Sequence, residues 1–426
     1  MMKKLLSLHL AVKVLVALAL GTLVGLVLPS PGSNATIDWV VALAAVAGQM
    51  WINALQMTIL PLVFALLSTT FIRSQGLATG GRVTRRSFAL IIALYLLSVV
   101  VGLVMVPMMF AISPVTPEIG EALRHMVGNK VATEPLPWAD AFLSLIPTNI
   151  VSAMAGATLL PVLIFALLFG AAIARLDDGE PRRVVVAALT GIADAVFVIV
   201  DWVLRLSPLG VAFLIMPTIQ QNGLGIFAGF AQYILMSIAV ALVLLAITYV
   251  LVAVRGSVPL GRFAHHILSV QAVALGTQSS TGCMPLTIKA CKAMGVRDEA
   301  TDVSVPLAAV LFRIVSPASA VLAAYYGAQV YGIEVGFGLL VAAGLLGMVL
   351  EMGLVGIPGA ATFIAYYAPI AALVGFPLEF MLVFIVVNVL PDIVFTGLHV
   401  TSHASVATMI DRAVVQGAFE KAPAID

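Results

Sequence analysis

The sequence predicts an all-α polytopic membrane protein with eight transmembrane helices and two re-entrant helical hairpins arranged as inverted repeats. Of its 426 residues, 62% are hydrophobic and only 10% are charged, and the mean hydropathy is +1.14. A soluble domain carries about 25% charged residues, because its surface must be solvated. Apolar runs of membrane-spanning length recur along the chain, and the basic residues fall between them asymmetrically. These observations place most of the chain in lipid.

The apolar runs give the order of the predicted spans. A bilayer core about 30 Å thick needs roughly 20 apolar residues in a helix. Runs of this kind are His9–Pro29, Ile37–Ile72, Phe88–Ile112, Ala157–Ala174, Val184–Met216, Ile226–Val254 and Val305–Tyr325, with a broken apolar region from Gly336 to Ile410. The first run follows two lysines, as a signal peptide would. Its apolar part exceeds the usual signal core of about 7 to 15 residues, so we expect a retained span.

The distribution of basic residues predicts the orientation. Lysines and arginines cluster before the first span, after the second, fourth and sixth spans, and at the end of the chain. The loops on the opposite side hold few of them: 217–223 is uncharged, and Ser113–Asp140 has only Arg124 and Lys130. Cytoplasmic loops of membrane proteins carry the excess of Lys and Arg. We therefore expect a multi-pass protein of the bacterial inner (plasma) membrane with both termini in the cytoplasm.

A first re-entrant hairpin is predicted between the sixth and seventh spans, at residues 258–295. This segment begins and ends on the same predicted side, and its apolar arms are interrupted by Gly276–Gly282 and then by Pro285. Irregular backbone is tolerated at membrane depth only where protein or a water-filled cavity satisfies its polar groups. The segment is therefore predicted to line a cavity.

A second broken segment, residues 336–373, enters from the opposite side around Gly353–Ala361. Paired broken helices that enter from opposite faces are typical of inverted-repeat secondary transporters. The alternative interpretation is two ordinary buried helices with packing glycines.

Several other classes of protein are excluded by composition. The net charge of +1 leaves no basic field for nucleic acid. Cys283 and Cys291 have no further Cys or His pair at ligand spacing, so no structural zinc is expected. Nothing places the two cysteines in an oxidising compartment, so no disulfide is expected either. No set of nucleophile, base and oxyanion donors can be assembled, so the chain is not expected to be an enzyme and needs no cofactor beyond a coupling cation.

The hairpins and several spans resemble the dicarboxylate/amino acid:cation symporter family, which includes the glutamate transporters. The segments that carry the resemblance are Val12–Pro29, Ile59–Phe64, Ile146–Asn149, Leu160–Phe165, Ser207–Val211, Ser279–Pro285 and Gly356–Ala360. The resemblance implies one integral membrane domain over 1–426 that forms a homotrimer and works as an elevator. Scaffold helices would lie mainly in 1–72 and 140–216, and the mobile transport part mainly in 73–112 and 226–412.

The resemblance also implies which residues bind substrate. These are Gln278, Ser279, Ser280, Thr281, Gly282, Arg313, Ser316, Ile357, Pro358, Gly359, Asp392, Phe395, Thr396 and His399. Half-helix ends and hydroxyls at the hairpin tips suit a carboxylate. In members that carry acidic amino acids, an Arg stands where this chain has Phe395, while the Asp that holds the amino group is kept as Asp392. A neutral amino acid is therefore expected, with a dicarboxylate left as the alternative.

The family's sodium ligands are altered in this chain. Where members have an Asn-Met-Asp motif and a later Asp, this chain has Phe312, Arg313, Ile314 and His403. Sodium prefers oxygen ligands, so no metal site is assigned and H⁺ is favoured over Na⁺ as the coupling cation. Arg313 is predicted to supply the fixed positive charge that bound sodium gives elsewhere; a purely structural Arg is the alternative.

His399, His403 and Glu351 are the candidates for proton coupling. The two histidines lie four residues apart and share one helix face. An imidazole can exchange protons near neutral pH, or it can simply line the cavity as a hydrogen-bonded neutral group. Because the sodium ligands are changed, an uncoupled uniporter or anion channel on the same fold stays open, and so does a transport-inactive sensor.

Overall fold

The computed structural model describes residues 10–78, 82–126, 146–156, 159–222, 224–353, 360–385 and 387–419, and within them the regular structure is helical throughout. The helices are α1 (Leu10–Val27), α2 (Ala35–Ala78), α3 (Arg82–Ile112), α4 (Pro117–Met126), α5 (Ile150–Ala155), α6 (Leu159–Ala174), α7 (Glu180–Arg205), α8 (Ser207–Asn222), α9 (Gly225–Arg255), α10 (Leu260–Thr277), α11 (Met284–Ala293), α12 (Asp298–Leu311), α13 (Ser316–Tyr331), α14 (Phe337–Gly353), α15 (Ala360–Val374), α16 (Leu378–Phe384) and α17 (Val389–Phe419).

Within the described ranges, six helical segments are long and apolar enough to cross a membrane. They are Ala35–Leu66, Arg82–Ile112, Glu180–Arg205, Ile226–Arg255, Asp298–Tyr331 and Val389–Ala413. Shorter apolar helices cover Val16–Val27, Ile164–Ala174, Phe337–Met352 and Phe363–Val374. The prediction of an all-helical, polytopic membrane protein is confirmed at this level, while the count of eight spans stays a prediction.

Three predicted spans are interrupted in the structure. The run Val184–Met216 is two helices, α7 and α8, which separate at Leu206. Pro208 lies at the start of α8, where its missing N–H is harmless, but its ring would clash with the carbonyl four residues earlier in a continuous helix. The run Val305–Tyr325 is likewise divided between α12 and α13, with Pro317 just inside α13. The span predicted at the end of the broken apolar region is divided between α16, which ends at Phe384, and α17, which begins at Val389.

The first hairpin is a helix, a short tip and a second helix. α10 ends at Thr277, and α11 begins at Met284 with Pro285 in its first turn. Gln278 follows α10 with a φ of 51°, the left-handed conformation that commonly terminates a helix. The tip therefore reverses the chain between two helices, as the Gly/Ser/Thr-rich sequence predicted.

The second hairpin has the same form on either side of its tip. α14 ends at Gly353 and α15 begins at Ala360. The predicted tip, including Ile357, Pro358 and Gly359, lies outside the described residues.

The described helices pack around two hydrophobic clusters. One cluster joins α2, α7 and α8 to α13, α15 and α16, and it contains a group of stacked and edge-on rings around Tyr326 and Phe384. The other joins α3, α9, α10, α12 and α17. α17 packs against α9, α10 and α12, so the first hairpin and the broken α12–α13 segment meet along one helix. The division into scaffold and transport parts stays a prediction.

Candidate substrate and cation site

The site is built where the break between α12 and α13 faces α17. Phe312–Val315 leave the regular helical pattern. The Arg313 and Val315 carbonyls accept the backbone N–H groups of Ser316 and Ser319, while the Phe312 carbonyl faces α17. The imidazole Nε2 of His403 lies 2.8 Å from the Phe312 carbonyl oxygen. Because a carbonyl can only accept, this contact gives a neutral His403 its proton on Nε2. His403 thus satisfies backbone that the break exposes at membrane depth.

Tyr95 on α3 holds the same break from the other side. Its hydroxyl donates to the Leu311 carbonyl at 2.6 Å and accepts from the backbone N–H of Arg313 at 3.1 Å. Its ring meets Phe312 edge-on at 5.1 Å between centroids. The sequence analysis did not name Tyr95, since a tyrosine in an apolar run carries no sign of which backbone it will bind.

Arg313 and Glu351 form an ion pair inside the helical bundle. Arg313 Nη1 lies 2.6 Å from Glu351 Oε1, and the two side chains are 25% and 6% exposed. Glu351 belongs to the last turn of α14, directly before the second hairpin tip. That Arg313 lies within the membrane stays a prediction, and its carboxylate partner in the structure is Glu351. This pair links the α12–α13 break to the second hairpin.

Asp392, His399 and His403 on α17 lie on the side of this pair where α17 packs. Each of the three interacts electrostatically with Arg313. Asp392 is half-buried, while His399 and His403 are 5% and 1% exposed. Counted with neutral imidazoles, the cluster holds one guanidinium and two carboxylates, a net charge of −1. Such a cluster suits a ligand with a cationic group.

Some buried polar atoms of this cluster have no hydrogen-bond partner among the described residues. They are His399 Nε2, His403 Nδ1 and Asn388 Oδ1. Buried polar atoms are normally satisfied, so these three have capacity for water or a ligand. Asn388 lies in the break between α16 and α17, and the sequence analysis missed it. The available signal was a lone amide between Val387 and Val389.

The tip of the first hairpin approaches the start of α17. The Gln278 amide Nε2 is 3.4 Å from the Val389 carbonyl oxygen. Ser279 Oγ accepts from the backbone N–H of Gly282 at 3.1 Å, so this hydroxyl supports the turn itself. Ser280 is buried, whereas Thr281 and Gly282 are exposed. The exposed part of the tip is thus Ser279, Thr281 and Gly282.

The remaining predicted substrate residues have structural contacts. Phe395 is 6% exposed within the cluster around α17, and the Thr396 hydroxyl donates to the Asp392 carbonyl at 2.7 Å. The Ser316 carbonyl accepts from the Tyr366 hydroxyl of α15. The roles of these residues toward substrate stay predictions. In the described ranges no group of three or more His, Cys, Asp or Glu side chains is placed to hold a metal ion.

Comparisons with known proteins agree on one family. The model of the sodium:dicarboxylate symporter family matches residues 10–413. A proton/sodium-glutamate symport protein of Bacillus subtilis is 25% identical over 97% of this chain and 94% of its own length. A C4-dicarboxylate transport protein of the same organism is 23% identical over 87% and 85%. A serine/threonine transporter of Bifidobacterium adolescentis is 25% identical over 83% and 76%.

Proposed function

The chain belongs to the sodium:dicarboxylate symporter family, and we propose that it is a symporter which carries a neutral amino acid across the bacterial plasma membrane with H⁺ rather than Na⁺. The observation that carries this proposal is the Arg313–Glu351 ion pair. The positive charge inside the site belongs to a residue, so no sodium is needed to supply it. Its counter-ion is a carboxylate that can take up a proton.

The charges of the cluster favour a zwitterionic substrate. Asp392 is half-buried and suits an ammonium group, while the Ser/Thr-rich tip of the first hairpin suits one carboxylate. A second carboxylate would need a cation besides Arg313, because Arg313 pairs either with Glu351 or, once Glu351 is protonated, with the first carboxylate. Phe395 stands where acidic-substrate members of the family have an Arg, and a phenyl ring offers no charge to such a group. Among the relatives, one is named as a serine/threonine transporter.

Glu351 couples the proton to the substrate. With Glu351 ionised, Arg313 is neutralised and the cluster carries −1; with Glu351 protonated, Arg313 is released and the cluster is neutral. The released guanidinium can then bind the substrate carboxylate in a charge-assisted hydrogen bond. Proton and amino acid therefore bind together. His399 and His403 have unpaired ring nitrogens and are the second candidates for the proton.

The family's architecture supports the rest of the proposal. The protein works as a homotrimer of elevator type with both termini in the cytoplasm, a scaffold in 1–72 and 140–216, and a transport part in 73–112 and 226–412. Ile357, Pro358 and Gly359 contribute to substrate binding as well. Dicarboxylate symport is the second candidate, because other relatives are named as C4-dicarboxylate transport proteins.

Uptake into proteoliposomes tests the proposal. Labelled neutral amino acids, acidic amino acids and C4-dicarboxylates are offered with proton and sodium gradients imposed separately. We expect a neutral amino acid to accumulate under a proton gradient, with no response to sodium. Glu351→Gln should abolish accumulation while the purified protein keeps its helical content. Accumulation that requires sodium would refute the proton proposal, equilibration without accumulation would make the protein a uniporter, and uptake of C4-dicarboxylates alone would favour the second candidate.

A further inference from the structure

A groove outside the substrate site lies between α3, α9 and α17. Its volume is about 910 Å³, near the upper end of the range of about 300 to 1,000 Å³ of small-molecule sites. The lining residues are Arg86, Leu90, Ala93, Leu94, Leu97, Leu251, Val254, Arg255, Met409, Ile410, Arg412 and Ala413. Three of these twelve are arginines, and all the others are apolar. We propose that this groove binds an anionic phospholipid of the cytoplasmic leaflet, with the phosphate at the arginines and an acyl chain along the apolar wall.

The arginines gather at one end of the groove. Arg86 lies in the second turn of α3, Arg255 is the last residue of α9, and Arg412 lies near the end of α17. No carboxylate forms an ion pair with any of the three in the described part of the chain. Three guanidinium groups that lie close together without a carboxylate partner favour the binding of an anion.

The hydrogen bonds of these arginines leave donors free. Arg86 Nη1 donates to the Ala413 carbonyl at 2.9 Å, and Arg412 Nη1 donates to the Val254 carbonyl at 2.7 Å. A guanidinium has five N–H donors in a planar fork, which matches a phosphate. These bonds hold the guanidinium group of Arg86 against the backbone of α17 and that of Arg412 against the end of α9. The remaining N–H groups have capacity for the ligand.

The apolar wall has the length of one membrane leaflet. Arg86, Leu90, Ala93, Leu94 and Leu97 follow one face of α3 at helical spacing. From Arg86 to Leu97 the helix rises about 16 Å at about 1.5 Å per residue, close to half of a hydrocarbon core about 30 Å thick. Val254 on the same groove is 60% exposed, so the groove is open at the protein surface. A soluble anion would use the arginines and leave this wall bare.

The expected orientation places the arginines at the right membrane surface. The side of the chain that is rich in Lys and Arg is predicted to be cytoplasmic. The cytoplasmic leaflet carries the anionic lipids that attract such residues. This argument does not depend on which substrate is transported, because the groove and the substrate cluster share no residue.

Native mass spectrometry of the purified full-length protein tests the proposal. Phosphatidylglycerol and phosphatidylcholine with identical acyl chains are titrated separately, and the bound lipid is counted. We expect phosphatidylglycerol to bind more tightly. Arg255→Gln should weaken its binding by about fivefold, the effect of one basic residue at an anionic lipid surface. Ala93→Phe should prevent binding by filling the groove, while it leaves every arginine and its hydrogen bonds in place.

Two matched variants serve as controls. Arg183→Gln removes one charge from an exposed side chain on α7, and Leu96→Phe enlarges a side chain on α3 that does not line the groove. Both should bind lipid as the wild type does. Equal binding of the two lipids, or unchanged binding in Arg255→Gln and Ala93→Phe, would overturn the proposal. Displacement of the lipid by excess inorganic phosphate would overturn it as well, by showing a simple anion site.

Discussion

Replacing Arg313 by Met is expected to abolish uptake and to destabilise the protein, and Glu351→Gln in the same chain should restore stability only. At the observed 2.6 Å between Nη1 and Oε1, the attraction is roughly 6 kcal/mol at an effective dielectric constant of about 20. Desolvation offsets part of this attraction. Removing one partner of a buried pair nevertheless costs about 3–5 kcal/mol, because the other charge is left uncompensated.

The double variant removes both charges and should lie within about 1 kcal/mol of the wild type, since an uncharged pair of similar volume is often neutral for stability. Thermal unfolding of the purified protein measures the change in stability, and proton-driven uptake measures the change in transport. Arg205→Met is the matched control: Arg205 Nη2 lies 2.7 Å from Asp201, but both side chains are more than half exposed. Exposed pairs contribute at most about 1 kcal/mol.

Two results would refute this reasoning. Wild-type uptake by Arg313→Met would show that the fixed charge has no role in transport. Additive losses of stability in the two single variants and the double variant would show that the two side chains do not interact.

The other predictions concern the break, the substrate pocket and helix packing. Tyr95→Phe should lower the free energy of unfolding by about 1–3 kcal/mol, because a buried backbone carbonyl loses its donor; unchanged thermal unfolding would contradict this. Phe395→Arg should admit acidic amino acids in competition assays, and a variant that folds but keeps the wild-type preference would argue against substrate contact by Phe395. Gly327→Ala should lower Tm, because its new Cβ would lie 2.4 Å from the Phe376 ring. That overpacking costs about 1–3 kcal/mol, whereas Gly191→Ala, with open space around it, should show no such loss.

The broken helices show which helix breaks a sequence pattern can predict and which it cannot. The first hairpin could be predicted because Gly276–Gly282 and Pro285 act locally, on the turn in which they stand. The separation of α7 from α8 was missed, although Pro208 carries the signal, because the apolar run continues on both sides of it. Pro317 signals the start of α13 in the same way, but the end of α12 at Leu311 has no turn residue of its own. It is stabilised by Tyr95 and His403, which come from other helices.

The sequence by itself indicated that most of the chain lies in lipid, that it is helical and which family it resembles. It also supplied the residue types of the candidate site. Hydropathy and local turn chemistry act over a few residues, so they can be read along the chain. Only the tertiary structure decided which carboxylate pairs with Arg313. Glu351 and Asp392 were both available, 38 and 79 residues further along, and helix packing brought Glu351 to 2.6 Å. Charge pairing in a bundle depends on which helix faces meet, and that is a property of the whole fold.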